Sequence, residues 1–209
     1  MTEVPDWLKW VRELQSVAQI GLAFCKNPYD VERYEQMRAL AAKMTAALGE
    51  ASPGKIADLF AEQSGYATPK VDVRGAVFRG DDVLLVSELI DGGRWTLPGG
   101  WADVNETPAE NAVREVHEEA GLVVKATKLA MVVDRDRAGH TPPYPFHIYK
   151  LFFLCDFVEK AEIKPGETGA ARFFPVARLP ELSVSRTLPG QIRRLYEHVQ
   201  NPALPTDFD

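Results

Sequence analysis

The sequence predicts an α+β protein in which a mixed sheet lies between helices, preceded by a small all-α domain. Three observations carry this. Residues 6–48 repeat their apolar side chains at three- and four-residue steps. From Val71 onward the repeat drops to two, the period of a strand. Beyond that point short apolar runs alternate with helical stretches, as a sheet covered by helices requires. The 209 residues suffice for one ordinary domain and a smaller one.

Two stripes define the amino-terminal helices: Trp7, Trp10, Leu14, Val17, Gly21 and Cys25 in the first, and Val31, Tyr34, Met37, Ala41, Met44 and Leu48 in the second. Asn27-Pro28 stops the first helix and Gly49 the second. A third short helix is expected over 53–63, with Ser52 as N-cap, Pro53 in the first turn and Gly65 past its end. A linker punctuated by Gly65 and Pro69 follows, so the expected division is a helical domain over 1–66 and a second domain over 67–209. Val71, Val73, Gly75 and Val77 mark a strand, which Arg79-Gly80-Asp81-Asp82 turns into a hairpin with Val83–Val86. Trp95–Pro98 is a short apolar stretch before a Gly-Gly turn, and further strands are expected over Lys128–Val133, Phe146–Phe157 and Ala171–Val176. A last helix over Pro189–Val199 presents Ile192, Leu195, Tyr196 and Val199 on one face.

Composition narrows the function. A formal net charge of −6, with no basic stripe, argues against broad binding to nucleic acid. The longest nearly uncharged run, Ser16–Cys25, is about half of what a membrane span needs. Cys25 and Cys155 sit far apart among apolar neighbours and read as two buried thiols of a reducing compartment. With no leader visible, the expectation is a cytoplasmic protein.

Chemistry concentrates in residues 100–122, GWADVNETPAENAVREVHEEAGL. Thr107 and Glu110 form a capping box, Pro108 takes the first helical position, and Gly121 ends the helix. Ala109, Ala112, Val113, Val116 and Ala120 supply the buried stripe. Glu115, Glu118 and Glu119 fall at i, i+3 and i+4, on one side, with Cβ atoms about 5–6 Å apart. Such like-charge neighbours destabilise a helix by about 0.2–0.5 kcal/mol per pair. Three hard oxygen donors gathered this closely suit Mg²⁺ or Mn²⁺.

The same segment resembles the Nudix box in full: Gly100, five residues, Glu106, seven residues, then Arg114-Glu115-Val116-His117-Glu118-Glu119-Ala120-Gly121-Leu122. At ordinary residue usage a chance match is on the order of 10⁻⁷. The resemblance implies an α/β/α sandwich and Mg²⁺-dependent hydrolysis of a phosphoanhydride in a nucleoside diphosphate linked to X. It implies Glu115, Glu118 and Glu119 as metal ligands, joined by the Gly100 carbonyl, and a salt bridge between Glu106 and Arg114 that fixes the loop to the helix. The family's late loop suggests Glu167 as a further carboxylate. Glu118, Glu119 and Glu167 all remain open as the group that takes the proton of the attacking water.

Substrate contacts lie outside the box. Arg135 and Arg137, in Asp134-Arg135-Asp136-Arg137, are candidates for a phosphate or ribose. Tyr144, His147, His140 and Trp101 are candidates for stacking or polar contact with a base. The helical domain, with Leu182-Ser183-Val184-Ser185-Arg186-Thr187 near the other end, resembles a bacterial Nudix subfamily associated with ADP-ribose and CDP-choline. ADP-ribose is the leading expectation. CDP-choline, an RNA end, and a non-catalytic ligand sensor are the alternatives. The apolar stripes of the first helices suggest a homodimer.

Overall fold

A computed structural model describes residues 5–48, 51–160 and 168–209, so Glu167 lies outside the described residues. The chain forms two compact units. One ends at Pro69 and also takes in Pro143–His147; the other holds Lys70–Pro142 and Ile148–Asp209.

The helical unit is built from α1 (Asp6–Phe24), α2 (Pro28–Leu48) and α3 (Pro53–Ala61). Ser52 Oγ caps α3 by accepting from Lys55 N at 3.4 Å. The core joins Val11, Ala41, Ala42, Ile56 and Phe60, with Phe146 packed on Phe60 at 5.9 Å between ring centroids. The face of α1 differs from expectation. Leu8, Val11, Gln15, Ala18 and Gln19 are the buried residues, while Trp10 and Val17 are 62% and 46% exposed. This helix carries two apolar stripes. The buried one, with Val11, packs against the small residues Ala41 and Ala42 of α2, and Leu14 of the expected stripe packs beside it. Cys25 is half-buried at the end of α1 rather than buried, whereas Cys155 is buried, and both thiols are free.

The second unit runs β1 (Lys70–Arg79), β2 (Asp82–Glu88), β3 (Arg94–Thr96), α4 (Pro108–Ala120), β4 (Leu122–Asp134), β5 (Ile148–Lys160), β6 (Thr168–Pro175), α5 (Pro189–Gln200) and β7 (Asp207–Phe208). Among the described residues these strands make a mixed sheet in the order β3-β2-β1-β5-β4-β7, with β6 on β2. β1 and β2 form the expected antiparallel hairpin, whereas β1 and β5 pair in parallel from Lys70↔Ile148 to Val77↔Cys155. Side chains alternate faces along β1. Val73 and Val77 pack with Val116 and Ala112 of α4, and Ala76 packs with Ile192 and Leu195 of α5. The sheet therefore lies between helices, with one core on each face. Glycine at position 75 lets α4 close down, because a Cβ there would stand 2.4 Å from Val116 Cγ2.

β4 begins six residues earlier than the alternation suggests. Its register against β5 shifts at Val123/Val124, Ala126/Lys128 and Leu129/Met131. Each shift breaks the in-out alternation, so the period of two reads over only part of the strand. β7 was not expected. It is held by Asp207, which accepts from Arg194 Nη2 at 2.8 Å and pairs with the buried His198 at 3.1 Å.

Candidate active site

α4 has both of its expected ends. Thr107 Oγ1 accepts from Glu110 N at 3.2 Å, Glu110 Oε2 accepts from Thr107 N at 2.8 Å, and Gly121 turns left-handed at φ 61°. Ala112, Val116 and Ala120 face the sheet, Glu115 and Glu119 flank that stripe toward the Gly99–Gly100 turn, and Glu118 lies farther round toward solvent.

The turn before the helix is laced to β1. Gly75 N donates to the Pro98 carbonyl and Val73 N to the Gly100 carbonyl, both at 2.9 Å. Gly99 adopts φ 145°, and a Cβ there would lie 2.0 Å from the Val73 carbonyl oxygen, so only glycine fits. That approach aims Gly99 N–H at Glu119 Oε2, 2.9 Å away. Glu115 lies alongside, since a Cβ on Gly100 would stand 3.3 Å from its Oε1. Two carboxylates and two consecutive glycine backbones thus share one small space.

Arg114 is the hub of the helix's outer side. Its Nε donates to Glu106 Oε2 at 3.1 Å, and its Nη2 to Asp103 Oδ2 at 2.9 Å and Asn111 Oδ1 at 3.1 Å. Its Nη1 reaches Glu118 Oε2 at 2.9 Å and Glu115 Oε1 at 3.0 Å. Partial burial pulls the guanidinium pKa down, but Glu106, Glu115 and Glu118 outweigh this and hold it above the usual range. Burial raises the Glu115 carboxyl, with Arg114 and Arg74 opposing. Burial also pushes Glu119 up to about 7, against the pull of Gly99 N–H and Arg74 and with the push of Glu115 and Glu88.

Among the described residues, no three His, Cys, Asp or Glu side chains converge as a metal cage. Glu118 leans to Arg114 and is 41% exposed, whereas Glu115 and Glu119 lie inward. The donor set still fits a hard divalent cation. Glu115 and Glu119 are half-buried oxygen donors, and burial more than their mutual repulsion raises both carboxyls. The Gly100 carbonyl already accepts from Val73 N and has a second lone pair.

Beneath this space lies a charged cluster that the periodicity of β1 does not announce. Arg74 is 3% exposed and grips Asp72 through Nε at 3.0 Å and Nη2 at 2.7 Å. Its Nη1 donates to the Leu97 carbonyl at 3.1 Å, just before Pro98. Lys150 Nζ, from β5, reaches Asp72 Oδ1 at 2.5 Å. Two buried cations share one anion. Burial opposes the Asp72 charge, but Arg74 and Lys150 prevail and hold the carboxyl at about 2. Burial dominates at Lys150 and lowers it to about 7, Asp72 compensating only in part and Arg74 adding repulsion. The pair Asp72 and Arg74, two charged residues on one face of a strand, is the signal that could have been noticed.

The expected substrate residues are divided between the two units. Arg135 is 3% exposed and held within its own loop, by Asp136 at 3.2 Å and the Pro142 carbonyl at 2.9 Å. Arg137 is exposed on the same turn. Trp101 is 46% exposed and its backbone bridges Asp72. Tyr144 and His147 belong to the helical unit, where the Tyr144 carbonyl accepts from Arg12 Nη2 at 2.5 Å. His140 is buried: its Nδ1–H donates to the Val184 carbonyl at 2.9 Å and its Nε2 accepts from Gln191 at 2.9 Å. Burial, with help from Lys150, lowers it to about 3, so it is neutral and structural.

Comparison with known proteins identifies the family. Residues 68–198 match the NUDIX domain, and residues 5–60 match a family described as a UDP-X-like N-terminal oligomerisation domain. A Bacillus subtilis (strain 168) protein provisionally named an ADP-ribose pyrophosphatase is 42% identical over 203 residues, 97% of each chain. A crystal structure of a UDP-X diphosphatase superposes with a TM-score of 0.61 at 30% identity, covering 98% of both chains. An ADP-ribose pyrophosphatase from Streptococcus suis gives a TM-score of 0.61 at 36% identity over 68% of this chain and 100% of that one. With a domain match across most of its length and the box laid out on α4, the chain belongs to the Nudix hydrolase family and is a pyrophosphohydrolase.

Proposed function

We propose that the protein hydrolyses the diphosphate of ADP-ribose or a closely similar nucleoside diphosphate linked to X. The observation that carries this is the inward pair Glu115 and Glu119, set against the Gly99–Gly100 backbone, within a complete box. Likeness over nearly the full chain to a relative named for ADP-ribose supports the substrate. Likeness over 98% to a UDP-X diphosphatase favours UDP-linked substrates as the second reading.

In this reading Glu115, Glu118, Glu119 and the Gly100 carbonyl are the ligands of a divalent metal, Mg²⁺ with Mn²⁺ as the alternative. When bound, that cation supplies the positive charge that screens the phosphate oxygens and acidifies a water. Arg114 holds Glu106 and the helix together so that the loop keeps its place. A water oxygen attacks one phosphorus, the bridging P–O bond breaks, and a carboxylate among Glu118, Glu119 and Glu167 takes the water's proton. The products are a nucleoside monophosphate and a phosphorylated X. Arg137, exposed on its turn, Trp101, Tyr144 and His147 are retained as candidate substrate contacts, and Arg135 as their support.

The test is a panel of ADP-ribose, a UDP-sugar and CDP-choline with Mg²⁺, scored by released monophosphate. ADP-ribose should lead by about tenfold in kcat/KM, a margin of roughly 1.4 kcal/mol in the transition state. A UDP-sugar in the lead would transfer the assignment to the second reading, and no release from any of the three would remove both.

We further propose a cytoplasmic homodimer, divided at residues 66/67 into a helical and a hydrolase domain. Two free cysteines support the compartment. Matches over 5–60 and 68–198 support the division. Trp10, Val17 and Phe24 support the dimer: they recur at seven-residue steps on α1 and are 62%, 46% and 68% exposed. Light scattering should give twice the chain mass of 23.2 kDa, and Trp10→Glu should halve it. A wild-type monomer at micromolar concentration would sink the dimer.

A further inference from the structure

Two arginines act on the acidic cluster directly, and a third, Arg186, pairs with Glu88 at its edge. Arg114 has each of its nitrogens on the protein's own carboxylates or Asn111. Arg74 is buried, with its nitrogens on Asp72 and the Leu97 carbonyl. Arg186 differs. Its Nε pairs with Glu88 Oε1 at 3.0 Å, its side chain is 26% exposed, and it makes no other ion pair among the described residues. Glu88, at the end of β2, is 7% exposed and close enough to the cluster for its charge to act on both Glu119 and Arg74. Among the described residues no hydrogen bond holds Nη1 or Nη2 of Arg186, and besides Glu88 the Asp91 carboxyl lies close enough to feel its charge.

The loop that carries Arg186 is stitched to the strand feeding the Gly99–Gly100 turn. Trp95 N donates to the Glu181 carbonyl at 3.0 Å, and Ser183 N to the Trp95 carbonyl at 2.8 Å. Thr187 Oγ1 shares a 2.9 Å hydrogen bond with Thr96 Oγ1 and accepts from Leu97 N at 3.3 Å. Arg186 N and Thr187 N both donate to the Ser183 carbonyl at 2.9 Å, closing a tight turn. Arg186 is thus fixed relative to the acidic face by backbone bonds.

We propose that Arg186 is an anion anchor: its guanidinium grips the phosphoryl group of the substrate that is not attacked, and Glu88 holds the side chain ready for it. The inference rests on a diphosphate substrate, as proposed above. Such a substrate brings two anionic phosphoryl groups, and the protein must meet the second with a cation of its own. A planar guanidinium with two free nitrogens matches two phosphate oxygens at once. Glu88 sets the direction of the fork without saturating it.

Steady-state kinetics on ADP-ribose with Mg²⁺ tests this. Arg186→Gln should raise KM by roughly 10- to 100-fold while kcat falls by less than about 5-fold, because a grip on the spectator phosphate acts on ground and transition states alike. Arg186→Lys should lie between, keeping charge without the fork. If Arg186 served only to neutralise buried Glu88, the double variant Glu88→Gln/Arg186→Gln would restore KM. The anchor requires that KM stay raised in the double variant. An unchanged KM in Arg186→Gln, or recovery in the double variant, overturns the proposal while leaving the activity assignment intact. Should Arg186→Gln fail to fold, Arg186→Lys decides: a KM raised by about 3-fold or more supports the anchor, and a wild-type KM refutes it. A wild-type enzyme silent on every diphosphate removes the substrate class and the anchor with it.

Discussion

Glu118→Gln is expected to lower kcat by about 10²- to 10⁴-fold at saturating Mg²⁺. Its melting point should stay close to wild type. Glu118 is 41% exposed and its partner Arg114 keeps Glu106, Asp103 and Glu115, so the lost pair contributes about 0–1 kcal/mol. This separation of activity from stability makes Glu118 a cleaner probe than Glu119, whose carboxylate also receives Gly99 N–H. Calorimetry alongside turnover of ADP-ribose provides both numbers. A variant that melts normally and turns over at the wild-type rate would remove Glu118 from the site.

Asp72→Asn should have the largest effect on stability. It deletes the one anion between Arg74 and Lys150, whose side chains are 3% and 2% exposed. Stranding the buried Arg74 cation costs about 3–5 kcal/mol, which for a domain of this size lowers the melting point by roughly 10 °C. Because the Asp72 carboxyl is held at about 2, below its ordinary 3.8, its contribution is complete above pH 3.8 and fades as pH falls through 2. The gap between wild type and variant should therefore be full at neutral pH and narrow in acid. Denaturation of both proteins across that range is the measurement, and equal stability at pH 7 would contradict the account. Arg74 also bonds the Leu97 carbonyl, so a site displaced in the variant should show reduced turnover even where it remains folded.

The site's own helix was legible because its signals are local. The capping box, Pro108 and Gly121 specify where α4 starts and stops, and the three-and-four spacing places its glutamates without knowledge of the fold. Contacts that join distant stretches were not legible. Asp72, Arg74 and Lys150 look like ordinary polar positions of strands until β1 and β5 are known to pair in parallel. Arg186 stands out in the sequence only within a family-like segment, since its partner Glu88 lies about a hundred residues earlier. On α1 only Leu14 of the expected stripe packs against the core, while Trp10 and Val17 face solvent, because periodicity does not rank neighbouring apolar faces. β7 has two residues and no pattern, and it exists through Arg194 and His198 gripping Asp207.

The parallel pairing of β1 with β5 bears on how the enzyme is made. β1 also carries the two backbone bonds that seat the Gly99–Gly100 turn, yet its neighbour Ile148 arrives 78 residues after Lys70 along the chain. Pairings of such sequence separation close late, after local helices and hairpins have formed. A nascent chain therefore has its acidic helix well before it has a frame to mount it on, and competence should appear abruptly, once β5 has been made and paired, rather than by degrees.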